Sequence, residues 1–201
     1  VAISLFDRVS APSLQSLSLS IEGFVSRDAL ESRALSYFLI RSGAPVNRLR
    51  TTTDGAKLLR DCLPHFPDLE SLAMYQTCDL QWPHAVVLEP LLQEGPDMPC
   101  PLLRSAEFDR CDVTVDWLLR FLRARASRLH NGHPVLRSVK ARLSTPPSDN
   151  VDELVAPFRK RGVHVDVGWD ERKQERDYRP MDGADWEMVV EEMDGHVEEY
   201  Y

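Results

Sequence analysis

A short apolar pattern that recurs along the chain is its strongest constraint. In PSLQSLSLS the leucines Leu14, Leu17 and Leu19 stand at relative positions 1, 4 and 6, with small polar residues between them. The spacing returns as Leu69, Leu72 and Met74 in DLESLAM, as Leu103, Ala106 and Phe108 in LLRSAEF, and as Leu136, Val139 and Ala141 in VLRSVKA. Val46, Leu49 and Thr51 in PVNRLRTTT form the weakest copy. First positions at 14, 46, 69, 103 and 136 are separated by 32, 23, 34 and 33 residues, room for one strand and one returning helix per copy. Pro12, Pro67, Pro101 and Pro134 each stand just ahead of a first position. Proline is tolerated where a strand begins because no ladder donor is needed there, so these prolines mark the boundaries.

Between the copies the apolar period lengthens toward that of a helix. In VTVDWLLRFLRARAS, Val115, Leu118, Leu119 and Leu122 share one helical face, while Arg120, Arg123 and Arg125 are expected to point away. Val151, Leu154, Val155 and Phe158 form a similar face, with Pro157 accommodated late in the helix or at a break. ALESRALSYFLIRSG is expected to end on Gly43 as a C-terminal cap, and DGAKLLRDCLPHFP to start at Asp54 and stop near Pro64. A shorter helix is expected from about Pro90, and Val163, Val165 and Val167 alternate as a closing strand should.

One strand and one helix cannot bury the apolar surface each presents, whereas stacked copies share a continuous core. The expected fold is therefore an α/β solenoid, with parallel strands on a concave face and helices on the convex face. In that register the outward positions are Ser16, Ser18 and Ser20; Arg48, Arg50 and Thr52; Ser71, Ala73 and Tyr75; Ser105, Glu107 and Asp109; and Ser138, Lys140 and Arg142. Glu107 should neighbour Lys140, and Asp109 should neighbour Arg142, two opposite-charge pairs across strands.

The 201-residue chain is 43% hydrophobic, enough for one sizeable core. Its formal charge of −8 resides entirely in Asp170 to Tyr201, which holds twelve acidic and four basic residues. Residues 1–169 carry twenty of each sign, so the body has no overall electrostatic bias toward nucleic acid or membranes. The organisation expected is a repeat domain over 1–169 and an acidic, mostly disordered tail over 170–201, with a short helix around Trp186 to Met193. No apolar run of about 18 residues occurs, and no basic segment or cleavage site follows Val1, so neither a membrane span nor a signal peptide is expected. Cys62, Cys78, Cys100 and Cys111 form no paired-cysteine motif, which argues against zinc and for reduced thiols in a cytoplasmic or nuclear protein.

Motifs of known chemistry are missing: there is no glycine-rich phosphate loop, GxSxG or HExxH. Neither catalytic residues nor a cofactor is expected. His130 and His133 could ligate a metal, but the intervening Asn131 and Gly132 read as a solvated turn. Cys111 could be a redox thiol and reads instead as a core residue. Arg120, Arg123, Arg125 and Arg128 could meet phosphates, yet no aromatics interleave as a stacking platform would require, and a solvated helix face is expected. Thr53 and Asp54 read as a helix cap. Tyr75 and Trp82 are aromatic candidates for binding, with core filling the alternative for Trp82.

The pattern resembles the leucine-rich repeat, and is most similar to the irregular, cysteine-containing repeats that follow the F-box in fungal F-box proteins. The resemblance covers about Pro12 to Trp169. It is carried by CPLLRSAEFDRCDVT, where Cys111 lies eight positions after Leu103 as such repeats place Cys or Asn, and by ELVAPFRKRGVHVDV, which looks like the last unit of such an array. Two departures stand beside it: no F-box-like segment is present, and only some copies keep leucine at all three positions. The resemblance implies a monomeric, non-enzymatic recognition domain that holds a protein substrate for a ubiquitin ligase, the ligase adaptor being engaged only through an F-box upstream. The protein-binding positions would be Arg48, Arg50, Thr52, Ala73, Tyr75, Glu107, Asp109, Lys140 and Arg142. A freestanding repeat scaffold is the alternative, with the acidic tail as its contact or as a cover for Arg48 and Arg50. A hydrolase or transferase on an α/β fold is a third reading.

Overall fold

Each apolar triplet builds one strand of a parallel sheet. The computed structural model describes residues 9–19, 28–52, 60, 62–75, 88–95, 98–130, 133–143 and 150–169. The chain divides after Asp170 into two units, and all of these residues lie in the first. The expected tail, its helix, Ser20, Thr53, Asp54, Cys78 and Trp82 fall outside the described residues.

The elements in chain order are β1 (Ser16–Leu19), α1 (Asp28–Ser42), β2 (Arg48–Thr52), a 3-10 turn (Leu63–His65), β3 (Ser71–Tyr75), a second 3-10 turn (Glu89–Leu92), β4 (Ser105–Val113), α2 (Val115–Ala126), β5 (Leu129–His130), β6 (His133–Pro134), β7 (Ser138–Leu143), α3 (Val151–Lys160) and β8 (His164–Trp169). Six strands form one sheet in the order β1-β2-β3-β4-β7-β8, every neighbour parallel, while β5 and β6 pair antiparallel as a small hairpin. The fold is α/β, with three helices among the described residues and a sheet compatible with a solenoid.

The register makes the five copies equivalent at the level of single hydrogen bonds. The carbonyls of Gln15, Asn47, Glu70 and Arg104 each accept two successive N–H groups from the next copy, at 2.7 to 3.1 Å, and Arg137 accepts one from His164 at 2.7 Å. These carbonyls directly follow the first apolar positions. Leu49, Leu72, Ala106, Val139 and Val165 then line up across the sheet, all buried.

Three of the four prolines do more than tolerate a strand start. Ala11 to Leu14, Phe66 to Leu69 and Cys100 to Leu103 close turns in which the last N–H donates to the first carbonyl at 3.1 to 3.2 Å, with proline second. The fixed proline φ suits that place and turns the chain into each strand. Pro134 differs, pairing with Leu129 in the hairpin.

Behind the sheet the core runs unbroken from Leu35 and Phe38 of α1 to Val155 and Phe158 of α3. Phe108 of β4 sits at its middle, with the Trp117 and Phe121 rings edge-on to it at 5.2 and 5.5 Å. Thr114 caps α2, its hydroxyl accepting from the Trp117 N–H at 3.2 Å. Gly43 ends α1 at φ 55°, where a side chain would be strained. Pro157 lies inside α3, one turn from its end.

Three helix expectations are corrected. The segment near Pro90 is a 3-10 turn rather than an α-helix. Leu154 is 42% exposed, because α3 packs through Val151, Val155 and Phe158. Arg125 is 3% exposed and belongs to the interior rather than to a solvated arginine face. No helix among the described residues is long and apolar enough to cross a membrane.

Candidate protein-recognition face

Residues between the buried positions of a strand must point to the opposite face of the sheet, and here that face carries no helix among the described elements. Parallel register sorts them into rows. Ser16, Arg48, Ser71, Ser105, Ser138 and His164 form one row; Ser18, Arg50, Ala73, Glu107, Lys140 and Asp166 form the next. Thr52, Tyr75 and Asp109 begin a third.

The second and third rows are joined by a continuous polar band. The Arg50 guanidinium lies 4.4 Å from the Tyr75 ring centroid. Tyr75 donates its hydroxyl to Glu107 Oε2 at 3.0 Å, and Lys140 donates to Glu107 Oε1 at 2.7 Å. Four side chains from β2, β3, β4 and β7 are thus held in one order, and both oxygens of the Glu107 carboxylate are engaged. The ammonium of Lys140, with help from Tyr75, holds the Glu107 carboxyl below its usual range despite partial burial. Burial and the bond to Glu107 push the Tyr75 phenol up, and Glu107 raises Lys140 in turn. In the first row Ser138 donates to Ser105 Oγ at 2.9 Å.

The expected Glu107–Lys140 pair is therefore present, and the expected Asp109–Arg142 pair is not. Register runs to Phe108 opposite Ala141 and resumes at Val113 opposite Leu143, so four residues of β4 face one of β7 and Asp109 is carried out of line. Arg142 instead lies over Gly168 of β8, where a Cβ would collide with its guanidinium. Thr52, expected outward and available, is 8% exposed. Arg48, Arg50, Lys140 and Arg142 are exposed, while Ala73, Tyr75, Glu107 and Asp109 are half-buried.

The closing strand β8 is among the expected elements, but its outward residues are not among the expected binding positions. His164 and Asp166 of β8 extend the first two rows, and the alternation of VHVDVGW already placed them opposite its buried valines.

Cys62, Cys100 and Cys111 are buried. Burial pushes the Cys100 thiol up to about 12 and Cys111 higher still, so neither is a ready nucleophile. Cys111 donates to the Met74 carbonyl of the preceding copy at 3.3 Å. Among the described residues no cluster of three His, Cys, Asp or Glu could hold a metal ion. The His130 and His133 backbones face one another in the hairpin, and their side chains lie outside the described residues. What the face offers among the described residues is a display of fixed charges, hydroxyls, the Tyr75 ring and the His164 imidazole. No family model, curated protein or solved structure matches the chain.

Proposed function

We propose that the chain is a leucine-rich-repeat recognition domain that binds a protein partner across the open face of its sheet, serving as the substrate-binding part of an F-box-type ubiquitin-ligase receptor. The observation that carries the repeat assignment is the carbonyl ladder from Gln15 to Arg137, which gives every copy the same place in the stack. Cys111 supports it, since its thiol bonds back to the preceding copy from the position where such repeats put Cys or Asn.

The binding role rests on the band from Arg50 to Lys140. Its side chains are held by one another, so a partner meets an ordered surface and less conformational entropy is lost on binding. Tyrosine and arginine are also the residues that dominate affinity when they sit centrally in an interface. The ligase role rests on the resemblance alone.

Capture of partners on the immobilised full chain tests the reading. The double variant Tyr75→Ala, Lys140→Glu should lose a specific partner by about tenfold or more in affinity, while Arg120→Glu on the helical side should retain it. Equal capture by all three proteins would overturn the binding face. Failure of the full-length gene product to co-purify with a ligase adaptor would overturn the ligase role and leave the face intact.

A further inference from the structure

Strands β4 and β7 and helix α3 bring unbalanced positive charge to the edge of the sheet where the strands begin. Arg104 and Arg137 hold the same place in adjacent copies: Arg137 donates its backbone N–H to the Arg104 carbonyl at 2.7 Å, and His164 donates to Arg137 at the same distance. α3 runs opposite to the strands and delivers Lys160 and Arg161 to this edge, just before Gly162 turns the chain into β8. All five residues are exposed. Side chains at the Arg104 position reach across copies, since Arg104 meets Glu70 at 3.4 Å. Among the described residues that is the one ion pair any of the five makes.

Folding alone does not account for this arrangement. Lys160 and Arg161 complement the negative end of α3. Arg104 and Arg137 start strands, where no comparable dipole exists, and like charges on adjacent strands oppose folding. Asp116, Asp152 and Glu153 begin their helices at the opposite edge, so the neutral balance of the body conceals a separation of charge.

We propose that this rim is a second docking surface, for an acidic segment of a partner protein, with Arg104, Arg137 and Arg161 as contacts. Carboxylates suit guanidinium groups through paired hydrogen bonds. A nucleic acid is disfavoured because the five include no Phe, Tyr or Trp, and the His164 ring alone falls short of the interleaved stacking platform a nucleic acid uses. The rim lies outside the Arg50–Lys140 band and does not depend on it.

The test titrates the full chain with a fluorescent Glu-Gly repeat peptide at low and near-physiological salt. Arg104→Glu with Arg137→Glu and Arg161→Glu should weaken binding about tenfold or more and flatten its salt dependence. Arg104→Gln with Arg137→Gln should weaken it less without lowering the melting temperature, which separates contact loss from misfolding. Arg120→Glu and Tyr75→Ala should leave it within about twofold, whether or not the open face binds its own partner. Undiminished binding by the triple variant, equal loss in the Arg120→Glu control, or tighter binding of a single-stranded oligonucleotide than of the peptide would overturn the proposal.

Discussion

Arg125 carries its charge into the interior, where no carboxylate among the described residues meets it. Its Nε donates to the Leu91 carbonyl at 2.9 Å, and Nη1 donates to those of Pro99 and Cys100 at 2.8 and 3.1 Å, while Nη2 has no partner. Burial draws its pKa down to about 10, so the group stays charged at neutral pH and its desolvation opposes folding there. Because the unfolded chain holds the proton more tightly, that opposition fades only as pH rises above about 10. The compensation is the loop it ties down: the Leu91 and Pro99 carbonyls depend on it, while that of Cys100 also accepts the Leu103 N–H. Arg125→Ala and the bulkier Arg125→Met should each destabilise by about 3 kcal/mol or more in urea denaturation, because both abandon the same acceptors. A neutral Arg125→Met would show that volume, and not the carbonyls, is what the site needs. The spacing from Leu118 through Leu122 to Arg125 already lay along one helical stripe; only the residue type argued for solvent.

At the scale of elements, the Arg50–Lys140 band makes the sheet sensitive to pH on both sides. Glu107 is held low by Lys140, so its contribution is present above the ordinary carboxylate range, about pH 4.3, and is lost as pH falls through its depressed folded value. Tyr75 and Lys140 are raised, so theirs is present below about pH 10 and lost at higher pH. Denaturation of wild type against Glu107→Gln should show a gap that is constant between about pH 5 and 9 and closes in acid. A gap independent of pH would mean the carboxylate charge does nothing for the band. On the far side of the sheet, Thr114→Ala removes the cap of α2 and should cost about 1 kcal/mol in the same measurement. Strand positions and most of the rows were legible because one-strand alternation states which side chains face out. The Asp109–Arg142 mismatch was not, because a bulge is a relation between two strands, and only the pairing of the longer β4 with β7 reveals it. Leu154 was misplaced for a related reason: an apolar residue at the border of a helical face is buried only if the neighbouring element reaches it.

For the whole molecule, a stack in which each copy touches only its neighbours distributes stability along one axis. Leu14, Leu17 and Leu19 of the β1 copy are only partly buried, as are Val167 and Trp169 in β8, whereas Leu103, Ala106 and Phe108 of the β4 copy are sealed on both sides. β4 also receives the aromatic cluster of α2, so the interior copies hold the most apolar contact. Leu103→Ala should therefore cost about 2–5 kcal/mol, and Leu17→Ala clearly less, since its leucine loses less contact with the core. Native-state hydrogen exchange should mirror the same gradient, with β3, β4 and β7 amides slowest and β1 fastest to open. Uniform protection from β1 to β8 would mean that the sheet opens as one cooperative unit. The gradient bears on recognition as well: Tyr75, Glu107 and Lys140 lie on the three strands expected to stay closed when the ends fray, so the face is built where the stack is most rigid.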